Sequence, residues 1–265
     1  MYTLILNSNN RVDKANTNSN NCEYNFDWGA VIPEGKYKLT YSLSRFTTPL
    51  TPFQQLINDK RPWGKYSPSS YYNNVWNDES LNNRHATCSG IVPKITVGKG
   101  ASSPLGVNCL SGTIASSIIW PLGSIPANYT MCVVSRYSEI TNTQRVLTDV
   151  GTTNQIFGHY GYNGPERGTL YDNGFKLVGS SVNFTNWLSL CVIRNGTVIF
   201  PNNVLIDNVA VGQNQVTNLT VGRLGVNTSG FPGGEKSSFE IAHVIVWDLP
   251  LTASELVLVS NAFNT

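Results

Sequence analysis

Paired carboxylates are the first groups that could do chemistry in this chain, because enzymes that cleave glycosidic bonds use two of them. In retaining glycosidases the two carboxyl groups lie about 5 to 5.5 Å apart and so share one face of a cleft. The chain has 16 acidic residues, and only Asp78 and Glu79 are adjacent. Neighbouring side chains on an extended strand point in opposite directions. We therefore predict no catalytic residues. A glycoside hydrolase-like enzyme is only a second alternative, because the sequence lacks the paired carboxylates that such an enzyme needs.

The three histidines form no recognisable catalytic or metal-binding set. No G-x-S-x-G motif accompanies them, so a serine hydrolase of that type is not indicated. We expect His243 to be a core residue, His85 to be a packing and turn residue, and His159 to be exposed at a rim. H-x-H, H-E-x-x-H and D-x-D-x-D-G are also absent, so we predict no metal and no cofactor. A calcium ion held by loop carbonyls would leave no pattern in the sequence.

Glycan binding is the remaining small-ligand chemistry. Such sites place a sugar on an aromatic ring and bond its hydroxyls to a few polar groups. The stretch "GHYGYNGPERG" supplies Tyr160, Tyr162, Asn163 and Glu166 for a rim of this kind. A turn whose tyrosines pack against a neighbouring loop would have the same composition, and both interpretations stay open.

Composition limits the partners of the chain. Charged residues are 13% of 265 and the net charge is +2, with no lysine or arginine cluster, so nucleic acid is not an expected partner. The apolar runs fall short of the roughly 18 residues of a membrane span, and "MYTLILNSNN" lacks the features of a secretory signal. The five cysteines contain no C-x-x-C pair, which favours reduced core thiols and folding in a cytoplasm.

The order of candidate elements predicts two domains. Residues 1–60 contain three strand candidates, too few to be stable alone, and we assign them to a small N-terminal β segment that docks on a partner. Residues 62–90 show no clear period and are expected to form an irregular loop whose side chains plug a core. From there on, short strands follow one another, and Asn173-Gly174 and Asn195-Gly196 mark hairpins. This pattern of strands and turns predicts that residues 61–265 form an all-β jelly-roll sandwich.

The chain closes with the apolar strand "FEIAHVIVW" and one helix. Strict alternation would place Phe239, Ile241, His243, Ile245 and Trp247 on one face, with both faces covered. Asp248 and Pro250 end the strand. Thr252 and Glu255 fit a capping box, and Leu251 and Leu256 fit a hydrophobic staple. The sequence therefore predicts a short C-terminal helix that closes the sandwich.

These residues carry a family resemblance over about 61–265. The ending "FEIAHVIVWD" followed by "LTASEL", with Trp247, Asp248, Thr252 and Glu255, resembles that of laminin-G-like, concanavalin-A-like jelly-roll domains. The upstream "WNDESLNNRHA" is similar to the W-x-D and S-G-N-x-x-H-A elements of that family at Trp76, Asp78, Asn83 and His85. Leu81 and Asn82 depart from it, standing where Ser and Gly are expected. The resemblance implies a concanavalin-A-like fold, which hosts lectins and glycosidases alike.

The N-terminal segment carries a second resemblance. "YTLILNSNNRV" and the strands after it are similar to β segments in virion proteins of large DNA viruses. This implies a non-enzymatic virion structural protein, a minor capsid or penton component, with capsid proteins, copies of itself or host surface glycans as partners. Its location would be the virion, after folding in the host cytoplasm. The alternative is a glycan-binding module for host attachment.

Overall fold

The computed structural model describes residues 5–6, 12–13, 49–96, 106–151, 154–161, 164–172, 174–196, 203–212, 220–228 and 234–263. The chain divides into two units, Met1–Pro49 and Leu50–Thr265. In the first unit, β1 (Ile5–Leu6) pairs antiparallel with β2 (Val12–Asp13). The strands predicted within 22–46 lie outside the described residues, and the docking role of this segment stays a prediction.

The described residues of the second unit form two α-helices, a 3₁₀ helix (Pro68–Ser70) and two antiparallel sheets. The α-helices are α1 (Pro52–Asp59) and α2 (Ala253–Phe263). The strands of the first sheet are β3 (Gly64–Tyr66), β7 (Val92–Thr96), β8 (Val107–Gly112), β10 (Tyr129–Tyr137), β15 (Leu188–Arg194), β16 (Val204–Ile206), β17 (Val209–Gly212) and β19 (Phe239–Trp247). The strands of the second sheet are β4 (Tyr71–Tyr72), β5 (Val75–Trp76), β6 (Ala86–Ser89), β9 (Ser117–Ile119), β11 (Leu147–Asp149), β12 (Gln155–Tyr160), β13 (Glu166–Asp172), β14 (Phe175–Leu177) and β18 (Leu224–Val226).

Both sheets interleave strands that are distant in sequence. The first has the order β17-β16-β15-β10-β19-β8-β7, and β3 pairs with the other half of β19. The second has the order β14-β13-β12-β11-β18-β9-β6-β5-β4. The inner faces of the two sheets form the main core, in which Tyr66, Trp76 and Trp120 pack with ring centroids 5.7 to 6.0 Å apart. The predicted fold class, an all-β jelly-roll sandwich with a short C-terminal helix, is confirmed.

Strand β19 changes face halfway along its length. Ile241 pairs with Ser135 and His243 with Val134, so Ala242 is an extra residue that forms a β-bulge. Before the bulge Phe239 and Ile241 point into the main core, whereas after it Val244 and Val246 do. The prediction of one continuous face for Phe239, Ile241, His243, Ile245 and Trp247 is therefore wrong. Both faces of the strand are nevertheless covered.

Helices α1 and α2 cover the outer face of the first sheet. Ile245 and Trp247 lie in a second core together with Cys132, Cys191, Leu56, Leu251 and Leu256. The indole Nε1 of Trp247 donates to the carbonyl of Lys60 at 2.6 Å, which ties the end of α1 to the last strand. Residues 52–59, at the end of the predicted N-terminal segment, therefore form a helix that packs on the sandwich. Thr51 caps α1 in a capping box with Gln54, a local signal in "TPFQ" that the strand assignment overlooked.

The segment expected to be an irregular loop folds into strands. Residues 64–89 contain β3, β4, β5 and β6, and Asn73 and Asn74, with φ of 49° and 61°, form the two-residue turn between β4 and β5. The loop prediction is wrong because asparagine, although less readily than glycine, also adopts positive φ, and here two asparagines in succession form the hairpin turn. The prediction that this segment fills the core with side chains is right, since Trp76 is completely buried.

The described cysteines lie in the interior of the protein. Cys88, Cys109, Cys132 and Cys191 are free and buried, and burial raises the pKa of Cys88 to about 12 and that of Cys109 to about 11. Such thiols stay protonated and unreactive. Within the described ranges, no helix has the length and apolar character needed to cross a bilayer.

Candidate functional site

Two of the four predicted rim residues lie side by side. Tyr160 and Glu166 are directly opposite each other on β12 and β13, and the Glu166 carboxylate accepts a hydrogen bond from the Thr169 hydroxyl at 2.8 Å. Tyr162 and Asn163 lie outside the described residues. The hairpin therefore brings an aromatic ring and a carboxylate to one place.

Tyr160 belongs to the outer face of the second sheet. Phe157 points into the main core, and because side chains alternate along a strand, Tyr160 points the other way. The Arg145 guanidinium lies 5.3 Å from the centre of the Tyr160 ring. Arg145 in turn forms an ion pair with Glu235 and a hydrogen bond with the Asn154 side-chain oxygen. The tyrosine thus rests on a cation that polar neighbours hold in place.

Two further aromatic residues complete what we call the aromatic face: Tyr160, Tyr171 and Phe175. The Phe175 ring lies 5.9 Å from Tyr160 and 5.0 Å from Tyr171, perpendicular to the latter. Leu170 pairs with Leu177 but Tyr171 pairs with Phe175, so a bulge turns Phe175 to the outer face while Leu177 reaches the core. Phe175 is 53% exposed. An aromatic ring that the core does not use is available for a ligand.

Sequence reasoning missed Tyr171 and Phe175, although a signal was present. Both lie close to the predicted Asn173-Gly174 turn in "LYDNGF". A two-residue turn would pair Asp172 with Phe175, whereas the structure pairs Tyr171 with Phe175. Gly174 has a φ of 115°, as the turn requires. The turn signal therefore indicated a hairpin near these aromatic residues but not their pairing.

The aromatic face has the groups needed to bind a sugar non-covalently. The C–H groups of a pyranose ring carry partial positive charge and pack on the negative face of an aromatic ring. Glu166, Asn154 and Glu235 are half-buried beside the aromatic rings, and their oxygens can accept hydrogen bonds from sugar hydroxyls. The arrangement combines an apolar surface with a small number of polar groups, as ligand sites commonly do.

The histidines lie away from any open site. His159 is completely buried, so the prediction that it is exposed is wrong: it points inward on the same side as Phe157. Burial, with a smaller effect of the Arg167 charge, lowers its pKa to about 3. Its Nδ1 lies 3.4 Å from the Ser135 hydroxyl, which is also fully enclosed. A serine without access to substrate cannot act as a nucleophile.

His243 and His85 make contacts within the fold. His243 stacks on Phe263 of α2 at 5.3 Å, and burial lowers its pKa to about 4, while Glu79 partly opposes that shift. His85 accepts a hydrogen bond at Nδ1 from the backbone N–H of Asp78 at 3.0 Å. Among the described residues, no three His, Cys, Asp or Glu side chains are grouped as metal ligands.

The adjacent carboxylates Asp78 and Glu79 hold a loop together. Asp78 accepts the backbone N–H groups of Lys65, Ser80 and Arg84 at 2.8 to 3.1 Å. Burial acts to raise the pKa of Asp78, but these hydrogen bonds outweigh it and the pKa is lowered. Glu79 forms an ion pair with Lys65 and a hydrogen bond with Ser67. Each carboxylate is thus already engaged by its own neighbours.

The remaining motif residues also have structural partners. Trp76 donates from Nε1 to the Ser67 carbonyl at 2.6 Å, and Asn83 takes a positive φ of 57° in an exposed turn. Thr252 and Glu255 exchange the two hydrogen bonds of a capping box, at 2.8 and 3.3 Å. Asp248 is exposed directly after the last strand.

No family model matches the chain, and no curated protein matches it in sequence. Solved structures match in fold with low identity. A Trypanosoma rangeli sialidase in complex with sialic acid has a TM-score of 0.48 at 14% identity, over 75% of this chain and 32% of that one. This chain therefore spans about a third of the sialidase.

Two further matches have similar scores. Domain 4 of AbnA, a GH43 extracellular arabinanase from Geobacillus stearothermophilus, in complex with arabinotriose, has a TM-score of 0.46 at 15% identity, over 74% of this chain and 97% of that one. The receptor-binding domain of botulinum neurotoxin mosaic serotype C/D has a TM-score of 0.49 at 13% identity, over 78% and 51%. Similarity of this extent assigns neither a ligand nor an activity to this chain.

Proposed function

We propose that the second unit, residues 50–265, is a glycan-binding module without catalytic activity, and that its aromatic face binds the sugar. The observation that carries the proposal is the position of Phe175. Its ring is half exposed on the outer face of the second sheet, held edge-on by Tyr171 and beside Tyr160. An apolar ring turned outward by a bulge contributes little to the core and is placed for an external ligand.

The polar surroundings support a neutral or hydroxyl-rich ligand. Arg145 is almost completely buried and its charge is engaged by Glu235, so it supports Tyr160 instead of presenting a cation to solvent. Glu166 and Asn154 offer acceptors at the edge of the rings. Because the acceptors at the edge of the rings include the Glu166 carboxylate, which would repel an anion, we expect preference for an uncharged sugar over an anionic one.

The test is a glycan array followed by titration calorimetry with the best-binding sugar. Phe175→Ala is expected to weaken binding about tenfold, as for the loss of one ring contact of 1 to 1.5 kcal/mol, with an almost unchanged melting temperature. Tyr72→Ala is the matched control, because Tyr72 is 77% exposed at the opposite edge of the same sheet. Wild-type protein that binds no glycan above background would overturn the proposal, as would equal losses in the two variants.

The lack of catalysis is tested separately. The sugar identified on the array, incubated with the protein as its aryl glycoside, should release no aryl alcohol above the buffer rate. Release that disappears in a Glu166→Gln variant would replace the proposal with a hydrolase.

The virion structural role stays a prediction. It depends on the N-terminal segment, of which only residues 5–6 and 12–13 are described before residue 49, and no observation in the second unit favours capsid partners. Mass spectrometry of purified particles would test it, and a virion location would agree with a glycan-binding attachment module.

A further inference from the structure

Four loops meet around Trp63 at one end of the sandwich. The Arg84 guanidinium lies over the Trp63 ring at 4.6 Å and donates to the Trp63 carbonyl at 2.8 Å. Asn82 donates to the same carbonyl at 3.2 Å. A Cβ on Gly123 would lie 3.9 Å from the indole, and the Gly123 N–H donates to Gly222. Residues 61–63, 81–84, 121–123 and 221–223 therefore form one surface, which we call the Trp63 end.

Three of these loops expose a large aliphatic side chain. Leu81 is 89% exposed, Leu122 is 76% exposed and Val221 is 57% exposed. A single exposed aliphatic residue is ordinary on a protein surface. Three on adjoining loops form an apolar group that remains exposed to solvent among the residues that the structure describes.

The backbone of Leu81 is strained as well as exposed. Its φ is 69°, in the left-handed region, which glycine and asparagine adopt at lower cost than leucine. A leucine normally offsets such strain by packing, but this side chain is almost entirely in solvent. The residue is therefore better suited to an external contact than to the stability of the turn.

The Trp63 end also carries three arginines that are in no ion pair within the described part of the chain. Arg61, Arg84 and Arg223 form no ion pair with any carboxylate of the described residues. Arg84 donates to the Trp63 carbonyl, and Arg223 donates from Nε to the Trp120 carbonyl at 2.8 Å. These bonds hold the side chains of Arg84 and Arg223 in place, and because the acceptors are neutral carbonyl oxygens they do not neutralise the charge.

Two buried carboxylates reduce that positive charge without cancelling it. Asp78 accepts the Arg84 backbone N–H, and Asp149 accepts the Arg223 backbone N–H at 2.8 Å. Both are less than a tenth exposed. Lys65 is paired with Glu79, and Lys60 with Glu255, so neither pair adds net charge. Asp59 is exposed two residues before Arg61 and accepts a hydrogen bond from Gln55, so the acids around the Trp63 end match the arginines in number. The four loops of the Trp63 end itself contain three arginines and no acidic residue, so the charge that they present to solvent is positive.

We propose that the Trp63 end docks on an anionic lipid surface. Leu81, Leu122 and Val221 would enter the boundary between headgroups and acyl chains, and Arg61, Arg84 and Arg223 would contact lipid phosphates and carboxylates. Aliphatic residues on separate loops suit a fluid surface, which needs no matching groove. Arginine is suited to this contact because its planar group bonds two phosphate oxygens at once.

The apolar half of the proposal is tested with the whole chain and vesicles of phosphatidylcholine with or without phosphatidylserine. Wild-type protein should sediment with the anionic vesicles, and Leu81→Asn should weaken this about tenfold while glycan binding and folding are retained. Ile140→Asn is the matched control. Ile140 is 75% exposed but follows the end of β10, whereas Leu122 precedes its start, so the two lie at opposite ends of that strand. Equal effects of the two substitutions would overturn the proposal.

The role of the arginines is tested in the same vesicle assay with separate variants. Arg61→Gln should weaken sedimentation about fivefold, and raising the salt concentration should do the same. Lys176→Gln, on the edge strand β14, should leave binding unchanged. Equal binding to neutral vesicles would overturn the role of the arginines. Binding to polyglutamate without binding to any vesicle would overturn the lipid surface and indicate an acidic protein partner.

Discussion

The His159 ring packs edge-to-face against Tyr137 with centroids 4.8 Å apart, inside the core between the two sheets. Arg167 lies on the neighbouring strand opposite His159, and Ser135 faces its Nδ1. Neither neighbour stabilises a positive imidazole, so the folded protein holds this histidine neutral. Its folded pKa of about 3 lies below the ordinary value of 6.5.

This difference makes stability depend on pH. Between pH 6.5 and about 3 the unfolded chain binds a proton at His159 that the folded chain does not, so the free energy of unfolding falls as the pH falls. From pH 6.5 to 5 the slope from this group approaches about 1.4 kcal/mol per pH unit. The free energy of unfolding, measured by urea denaturation at several pH values between 6.5 and 5, should fall less steeply with pH in His159→Gln than in the wild type. Equal slopes would contradict the buried, neutral state.

Glu255 joins the capping box of α2 to the end of α1 through Lys60. Glu255→Ala should lower the free energy of unfolding by about 1 kcal/mol, because the cap is lost. Glu255→Gln keeps a cap acceptor and removes only the partly exposed ion pair, so about 0.5 kcal/mol or less is expected. Thermal melting of both variants checks this order; a larger loss in the glutamine variant would mean that the ion pair dominates.

The strain at Leu81 predicts a stabilising substitution. Leu81→Gly relieves the positive φ of 69° at a site where almost no packing is lost, and we expect a gain of about 1 kcal/mol. Asn83→Gly is the control, since Asn already tolerates the left-handed region and should change little. Equilibrium unfolding in urea distinguishes the two. A destabilised Leu81→Gly would show that the leucine packs inside the protein.

Arg194 and Asp172 form an ion pair that is buried completely. Their charged atoms lie 3.3 Å apart with side-chain exposures of 0% and 2%, and Arg194 also donates to the carbonyls of Pro126 and Thr220. Asp172→Ala should cost about 3 to 5 kcal/mol, because it leaves a buried cation without its partner. Lys60→Met, which removes a partly exposed pair, should cost about 1 kcal/mol or less. Similar midpoints of urea unfolding would contradict the contrast.

Local sequence signals placed the last strand and its helix, because a capping box and an apolar run act within a few residues. The bulge at Ala242 could not be anticipated: nothing in "FEIAHVIVW" distinguishes an extra residue from regular alternation, and the partner strand β10 decides it. The strands within 64–89 were hidden for a related reason, since each is two to four residues long and gains its pairing from distant partners.

The candidate site was half predictable. Tyr160 and Glu166 stood out because Gly-rich turns present side chains, whereas Phe175 depends on a bulge that reverses its direction between Tyr171 and Leu177. His159 was wrongly predicted to be exposed because of the glycines around it. A glycine-rich context suggests exposure, but Gly158, with a φ of 99°, lies at a bulge inside a sheet.

The contact between Phe53 of α1 and Phe263 of α2, with ring centroids 6.3 Å apart, brings the first and last helices of the second unit together. Both helices lie on the same outer face, tied by Lys60 and Glu255. A short linker from the end of α2 to the start of α1 would therefore join the two ends of the second unit without crossing either sheet. The second unit is for this reason a natural candidate for circular permutation, with new ends opened in the exposed turn at Ile140.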